Sequence, residues 1–201
     1  SEAIPNAPYV DGVTKDGTIK VSGLEAGATY QYSIDGGPFT DFVASVANPT
    51  EAQFTIGTDG IYEIGQIQVK QIDAAGNSSI SVLEQAVTVD KVAPVVSVET
   101  IAFDNKLHAT EISQGFDVVG KAEAFSTVNL KINGVLLKDV NGNLVVTKAD
   151  ANGNWTIAVP ANKVTVAVNN FTAVANDLAG NNLESVAKST TADTANTFIS
   201  I

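Results

Sequence analysis

Ile67-Gln68-Val69-Lys70-Gln71-Ile72 alternates apolar with polar residues and runs into Asp73-Ala74-Ala75-Gly76-Asn77. The chain writes the same phrase again as Phe171-Thr172-Ala173-Val174-Ala175, followed by Asp177-Leu178-Ala179-Gly180-Asn181. Alternation with a period of two marks a half-buried strand, and a Gly-Asn pair beside Asp marks the turn that ends it. Each D-x-A-G-N leads through a further strand to an isolated acid near a break. That acid is Asp90 in Val89-Asp90-Lys91-Val92-Ala93-Pro94 and Asp193 in Ala192-Asp193-Thr194-Ala195. The motif recurs at an interval of 104 residues (73 to 177) and the acid at 103 (90 to 193). Two independent markers with one period predict tandem domains, 1–92 and 93–201. Only Lys91, Val92 and Ala93 separate Asp90 from Pro94, which fixes its own φ and biases Ala93 toward extended geometry. A joint this short is expected to hold the domains nearly collinear.

Within each repeat about seven short strands are expected. In the first they fall near Thr18–Ser22, Thr29–Ile34, Phe39–Val43, Gln53–Ile56, Ile61–Ile72 and Ser79–Val89, after an opening strand around Tyr9. In the second they fall near Val95–Ala102, Phe116–Ala122, Thr127–Ile132, Val135–Lys148, Trp155–Val159, Phe171–Asn176 and Ser185–Thr191. Asp35-Gly36-Gly37, Asn133-Gly134, Asn141-Gly142 and Asn152-Gly153 are the turns, and no convincing helix is present. The prediction is an all-β chain of two antiparallel β-sandwiches with an immunoglobulin-like outline. Tyr62, following Asp59-Gly60, is placed for a tyrosine corner, and Trp155, alternating with Ile157 and Val159, for a core anchor.

Composition agrees and excludes several functions. There are 26 Val, 17 Asn and 16 Gly, the profile of β-branched strands joined by turns that need positive φ. No Cys is present, so disulfides, thiol nucleophiles and thiolate metal sites are out. His108 is the one histidine; beside Glu111 it reads as an exposed loop residue rather than half of an acid–base pair, and no nucleophile constellation or phosphate loop supports an enzyme. The 11 basic residues are all lysines against 22 acids, for a net charge of −11. Nucleic acid is therefore not an expected partner. No stretch approaches the ~20 apolar residues that span a bilayer, so direct membrane insertion is not expected. The chain reads as a piece excised from something longer. Residues 1–92 hold 12 acids and 4 lysines, residues 93–201 hold 10 acids and 7 lysines, so the first module favours cations more strongly.

The carboxylates are the only chemically capable groups present in number. On a sandwich, alternate loops share a pole, which places Asp90, Asp177 and Asp150 (in Asp150-Ala151-Asn152-Gly153-Asn154) at one end of the second module. The segment from Asp11 to Asp16 is expected to face them from the first. Asp104, Asn105 and Glu111 gather with Asp193 at the other end, and Asp73 holds the place in the first module that Asp177 holds in the second. Two carboxylates about 4 Å apart repel by roughly 1 kcal/mol in water and by more near a protein surface. Either they splay into solvent or a cation holds them. Ca²⁺ is the expected ion: it is hard, takes about 6–8 oxygen ligands and tolerates irregular geometry. No EF-hand pattern is present. For a single Asp-Gly the plain turn reading wins; for D-x-A-G-N paired with a distant acid at a preserved interval, the metal reading is preferred.

On these residues the chain resembles tandem bacterial immunoglobulin-like repeats from giant, type I-secreted, RTX-type biofilm adhesins of Gram-negative bacteria. The segments that carry the likeness are Val10-Asp11-Gly12-Val13-Thr14-Lys15-Asp16-Gly17, Tyr32-Ser33-Ile34-Asp35-Gly36-Gly37, Asp104-Asn105 with Glu111, Asp150 to Trp155, and both D-x-A-G-N strands. The resemblance implies an extracellular extender that projects a ligand-binding tip for adhesion. It also implies a monomer whose partners are neighbouring repeats of its own chain, with Ca²⁺ on Asp90 and Asp177 at the junction and on Asp104, Glu111 and Asp193 at the far pole. Ile4 stands where the linker acid would precede Pro8, and Thr197 where a proline would follow Asp193. A competing expectation is a glycan- or protein-binding module acting through the 44–51 insert and the Val135–Lys148 hairpin; it has few exposed aromatics in its favour.

Overall fold

The computed structural model describes residues 12–45 and 48–193. The strand expected around Tyr9, the acid Asp11 and the residues Ile4 and Thr197 lie outside the described residues. The chain divides into two compact units, Ser1–Val92 and Ala93–Ile201.

In the first unit the strands are β1 (Val13–Thr14), β2 (Thr18–Ser22), β3 (Thr29–Ile34), β4 (Thr40–Phe42), β5 (Glu51–Thr55), β6 (Gly60–Tyr62), β7 (Ile67–Ile72), β8 (Ser78–Val82) and β9 (Val87–Val89). One sheet runs β4-β3-β7-β8; β2 pairs with β5, and β1-β9-β6 forms a third group, in which β1 lies parallel to β9. Phe54, Ile56, Tyr62, Ile67 and Val89 are buried together, and the Tyr32 and Phe54 rings stack at 4.2 Å. The β3–β4 turn has Asp35 at φ 51° and Gly36 at φ 70°, as its Asp-Gly sequence predicts. The Tyr62 hydroxyl donates to the Thr58 carbonyl at 2.9 Å, so the tyrosine corner forms. Two expected strands are each broken in two. Ile61–Ile72 is interrupted at Glu63–Gln66, where the Gln66 N–H bonds the Glu63 carbonyl, and Ser79–Val89 is interrupted between β8 and β9. In both places the chain crosses from one sheet group to another, which an unbroken strand cannot do.

The second unit comprises β10 (Val96–Ile101), β11 (Leu107–His108), α1 (Ala109–Gln114), β12 (Phe116–Ala122), β13 (Thr127–Ile132), β14 (Val135–Leu136), β15 (Val146–Lys148), β16 (Asn154–Val159), β17 (Val168–Asn176), β18 (Asn182–Glu184) and β19 (Lys188–Asp193). The sheet β10-β12-β16 faces a larger one ordered β11-β19-β17-β13-β14, with β15 also on β13 and β18 also on β17. Burial alternates strictly along β13, β16 and β17, and Trp155, Phe171, Leu130 and Val118 fill the space between the sheets. Trp155 is 2 % exposed, the core anchor expected of it. Gly120 lies against its ring: a Cβ there would stand 2.4 Å from Trp155 and 2.1 Å from the Ser97 carbonyl oxygen. The short helix α1 corrects the expectation of none. Its six residues are too few to show a helical period, and a local cap starts it: the Glu111 carboxylate accepts the His108 N–H at 2.8 Å. The expected strand Ser185–Thr191 forms as β19, shifted to start at Lys188, and β18 precedes it as an additional strand; both pair with β17.

Candidate metal centre

D-x-A-G-N proves to be one spelling of a turn that occurs four times among the described residues. Asp73–Asn77, Asp139–Asn143, Asp150–Asn154 and Asp177–Asn181 all place Gly fourth, at φ 77–90°, and Asn fifth. In each the Asp N–H donates to the Asn carbonyl at 2.8–3.0 Å, and the Asn N–H returns a bond to Asp Oδ1 at 2.8 Å. The Asn amide then donates to Asp Oδ2, at 2.7 Å in the first copy and 2.9 Å in the last. Asp supplies the acceptors that cap the turn, Gly the positive φ, and Asn the second donor. Hydrogen bonds from Asn77 hold the Asp73 carboxyl below its ordinary value, and those from Asn154 do the same for Asp150; at Asp139 the Asn143 N–H leads. Turn chemistry thus accounts for the motif at Asp73, Asp139 and Asp150, whose carboxylates face solvent.

Asp177 differs from the other three. It is only 9 % exposed, and a carboxylate oxygen of Glu123 lies within 4.8 Å of one of its own. The fold produces this meeting directly. Glu123 follows the last residue of β12, and its N–H bonds the Val95 carbonyl at 3.0 Å where the chain enters the unit. Asp177 follows the last residue of β17, and Asn176 pairs with Thr127 at the start of β13, next in the chain after the Glu123–Ser126 turn. The Asp150 turn reaches the same pole through the Ala122 N–H to Gly153 carbonyl bond of 2.8 Å. Its carboxylate stays with Asn152 and Asn154, however, and among the described residues it joins no group of three metal-ligating side chains. Glu123 was not legible as a site residue. Its only signal is an acid in a tight turn, Ala122-Glu123-Ala124-Phe125, where Phe125 takes φ 66°.

The remaining sequence candidates hold their own loops. Asp16 accepts from the Thr18 N–H and the Thr14 hydroxyl, and the Thr18 bond keeps its carboxyl below the ordinary value. Asp90 donates its N–H to the Thr14 carbonyl and accepts the Val92 N–H on Oδ1 at 3.0 Å, so its backbone is fixed to β1. At the other pole of the second unit Asp104 accepts the Lys106 N–H and lies 3.7 Å from the His108 ring nitrogen. There Asn105 Oδ1 accepts from Ile101, and Asp193 stands opposite His108 in the parallel β11–β19 pair. These residues do share a pole, but among the described residues Asp104, Glu111 and His108 form no group of three ligand atoms.

What Glu123 and Asp177 can do follows from their donors. They offer hard anionic oxygens on two turns fixed by backbone hydrogen bonds, which suits an oxygen-seeking divalent cation and not a nitrogen- or sulfur-seeking one. At 4.8 Å two such charges repel by about 0.9 kcal/mol at the dielectric of water and about 3.5 kcal/mol at an effective value of 20.

No family model matches the chain, and no curated protein matches it in sequence. Several solved structures do. A Ca²⁺-stabilised adhesin with which an Antarctic bacterium reaches out and binds ice is 25% identical over 92% of this chain, with a TM-score of 0.42. A 1.5-MDa bacterial ice-binding adhesin, solved for its retention at the host cell surface, is 23% identical over 89%, with a TM-score of 0.41. A tetra-tandem repeat from the extending region of a large adhesion protein is 20% identical over 94%, with a TM-score of 0.38. The chain spans about half the length of these structures: 47%, 58% and 48% respectively. The described residues are almost entirely strands and turns, and the chain is similar to these adhesin structures.

Proposed function

We propose that this chain is a pair of extender modules from a large extracellular adhesin of a bacterial surface, stiffened by Ca²⁺ at the entrance to its second unit. The observation that carries the reading is the approach of Glu123 and Asp177, two carboxylates held together by backbone rather than by mutual attraction. Asp90 is the third ligand in this reading. Val95, whose carbonyl holds the Glu123 N–H, lies five positions after it, so the chain cannot carry Asp90 more than about 18 Å from that point. An ion bound to all three binds one arrangement of the joint better than others and so favours it. Extracellular modules bind Ca²⁺ at about 10⁻⁴–10⁻³ M, which leaves such a site empty in the cytosol and filled outside. Asp104, Glu111 and Asp193 are proposed as the corresponding half-site toward a following repeat.

Calorimetric titration with Ca²⁺ on the whole chain tests this. The wild type is expected to bind at the junction, and Glu123→Gln and Asp90→Ala are each expected to lose that binding. Unchanged stoichiometry and affinity in both variants would remove the site and, with it, the stiffening role.

A further inference from the structure

The chain contains three Asn-Gly pairs, and the fold treats them differently. Asn-Gly is the dipeptide in which a backbone nitrogen most easily attacks the preceding side-chain amide, because glycine places no Cβ in the way. Asn133 is occupied: its Nδ2 donates to Asn169 Oδ1 at 3.2 Å and its Oδ1 accepts the Asn170 N–H at 2.9 Å. Asn152 has a freer side chain, but its glycine is pinned. Gly153 is buried, its N–H bonds the Asp150 carbonyl at 2.9 Å, its own carbonyl accepts from Ala122 at 2.8 Å, and that Ala122 oxygen stands 2.4 Å from where a Cβ would be. Asn141 has neither restraint. It is exposed with no side-chain hydrogen bond, and Gly142 is exposed with nothing within 4 Å of its Cβ position. The Gly142 N–H donates to the Asp139 carbonyl at a long 3.3 Å and is shared with the Asp139 carboxylate. Val140 beside it is 85% exposed, so this turn stands clear of the sandwich.

We infer that Asn141 is the site of spontaneous deamidation in the folded protein. The Gly142 nitrogen attacks Asn141 Cγ, the Cγ–Nδ2 bond breaks, and ammonia leaves with the proton that the Gly142 nitrogen gives up. Water then opens the cyclic imide at either carbonyl, giving aspartate or isoaspartate; no oxidant or other reactant is needed. Either product places a second negative charge two positions from Asp139. Isoaspartate also adds a backbone carbon inside a turn closed by the Asn143 N–H on Asp139 Oδ1, and so opens it. The proposal is independent of the calcium reading.

The test is peptide mapping by mass spectrometry of the folded chain held at mildly alkaline pH, beside the same chain in denaturant. In denaturant the three pairs are expected to react at similar rates. In the folded chain Asn141 is expected to react several-fold faster than Asn133 and Asn152, and Asn141→Gln should remove most of the ammonia released. Equal native rates, an earlier reaction at Asn133 or Asn152, or a silent Asn141 beside a reactive denatured control would each overturn the inference.

Discussion

Replacing Glu123 with Gln should change the stability of the second unit with opposite signs in the absence and presence of calcium. The substitution keeps shape and removes one charge, and the backbone bonds at this residue, to Val95 and from Ser126, do not involve its side chain. Without calcium it relieves the repulsion across at most 4.8 Å. Glu123 is partly exposed, which puts the relief in the lower part of the Coulomb range, about 1–2 kcal/mol. For a unit of this size that raises Tm by about 4–8 °C. With calcium at about 100 times its dissociation constant, the wild type gains about 2.7 kcal/mol and the variant loses most of it, so the order reverses. Trp155 makes the assay specific. It is the only tryptophan, it is 2 % exposed, and it lies in the second unit, so its fluorescence reports that unit's unfolding without interference from the first. A variant no more stable than wild type in EGTA, or a wild-type Tm that calcium leaves unmoved, would refute the reasoning.

Other consequences follow from the same geometry. Gly120→Ala forces a methyl into Trp155 and the Ser97 carbonyl, and is expected to destabilise the second unit by about 3 kcal/mol, read by denaturant titration of Trp155 fluorescence. Tyr62→Phe removes the bond to the Thr58 carbonyl and should cost about 1 kcal/mol by calorimetry, with loss falling on the first unit. The lowered carboxyls of Asp73, Asp139 and Asp150 bind protons less readily folded than unfolded. Their stabilisation is therefore full above the ordinary carboxylate pKa and is lost as pH falls through the lowered one, a trend that NMR titration of the three side chains should display. Small-angle scattering should give a narrower distribution of dimensions in calcium than in EGTA, and Asp90→Ala should abolish that difference.

Much of the fold was legible because strand and turn signals are local. Alternation gave β3, β7, β13, β16 and β17, and Asp35-Gly36 gave its turn, since side-chain period and positive φ are properties of a few adjacent residues. The breaks at Glu63–Gln66 and between β8 and β9 were not legible, because sheet crossing is decided by what lies above and below the strand. Helix α1 escaped because its cap depends on one side chain, Glu111, which read equally well as a metal ligand. At the candidate site, the recurrence of D-x-A-G-N was visible but its physical content was underrated: each of these Asp residues caps its own turn, and Asp177 alone among the four also meets a second carboxylate in a group of metal-ligating side chains. The residue that sets Asp177 apart, Glu123, carries no motif, and its neighbour arises from the pairing of β13 with β17.

The most direct test is a crystal structure of the whole chain grown with calcium. The account predicts an ion between Glu123 and Asp177, bound to an oxygen of each at about 2.3–2.6 Å, with Asp90 completing the carboxylates. Density fitted by water alone between Glu123 and Asp177, in crystals where calcium is present in excess, would contradict it.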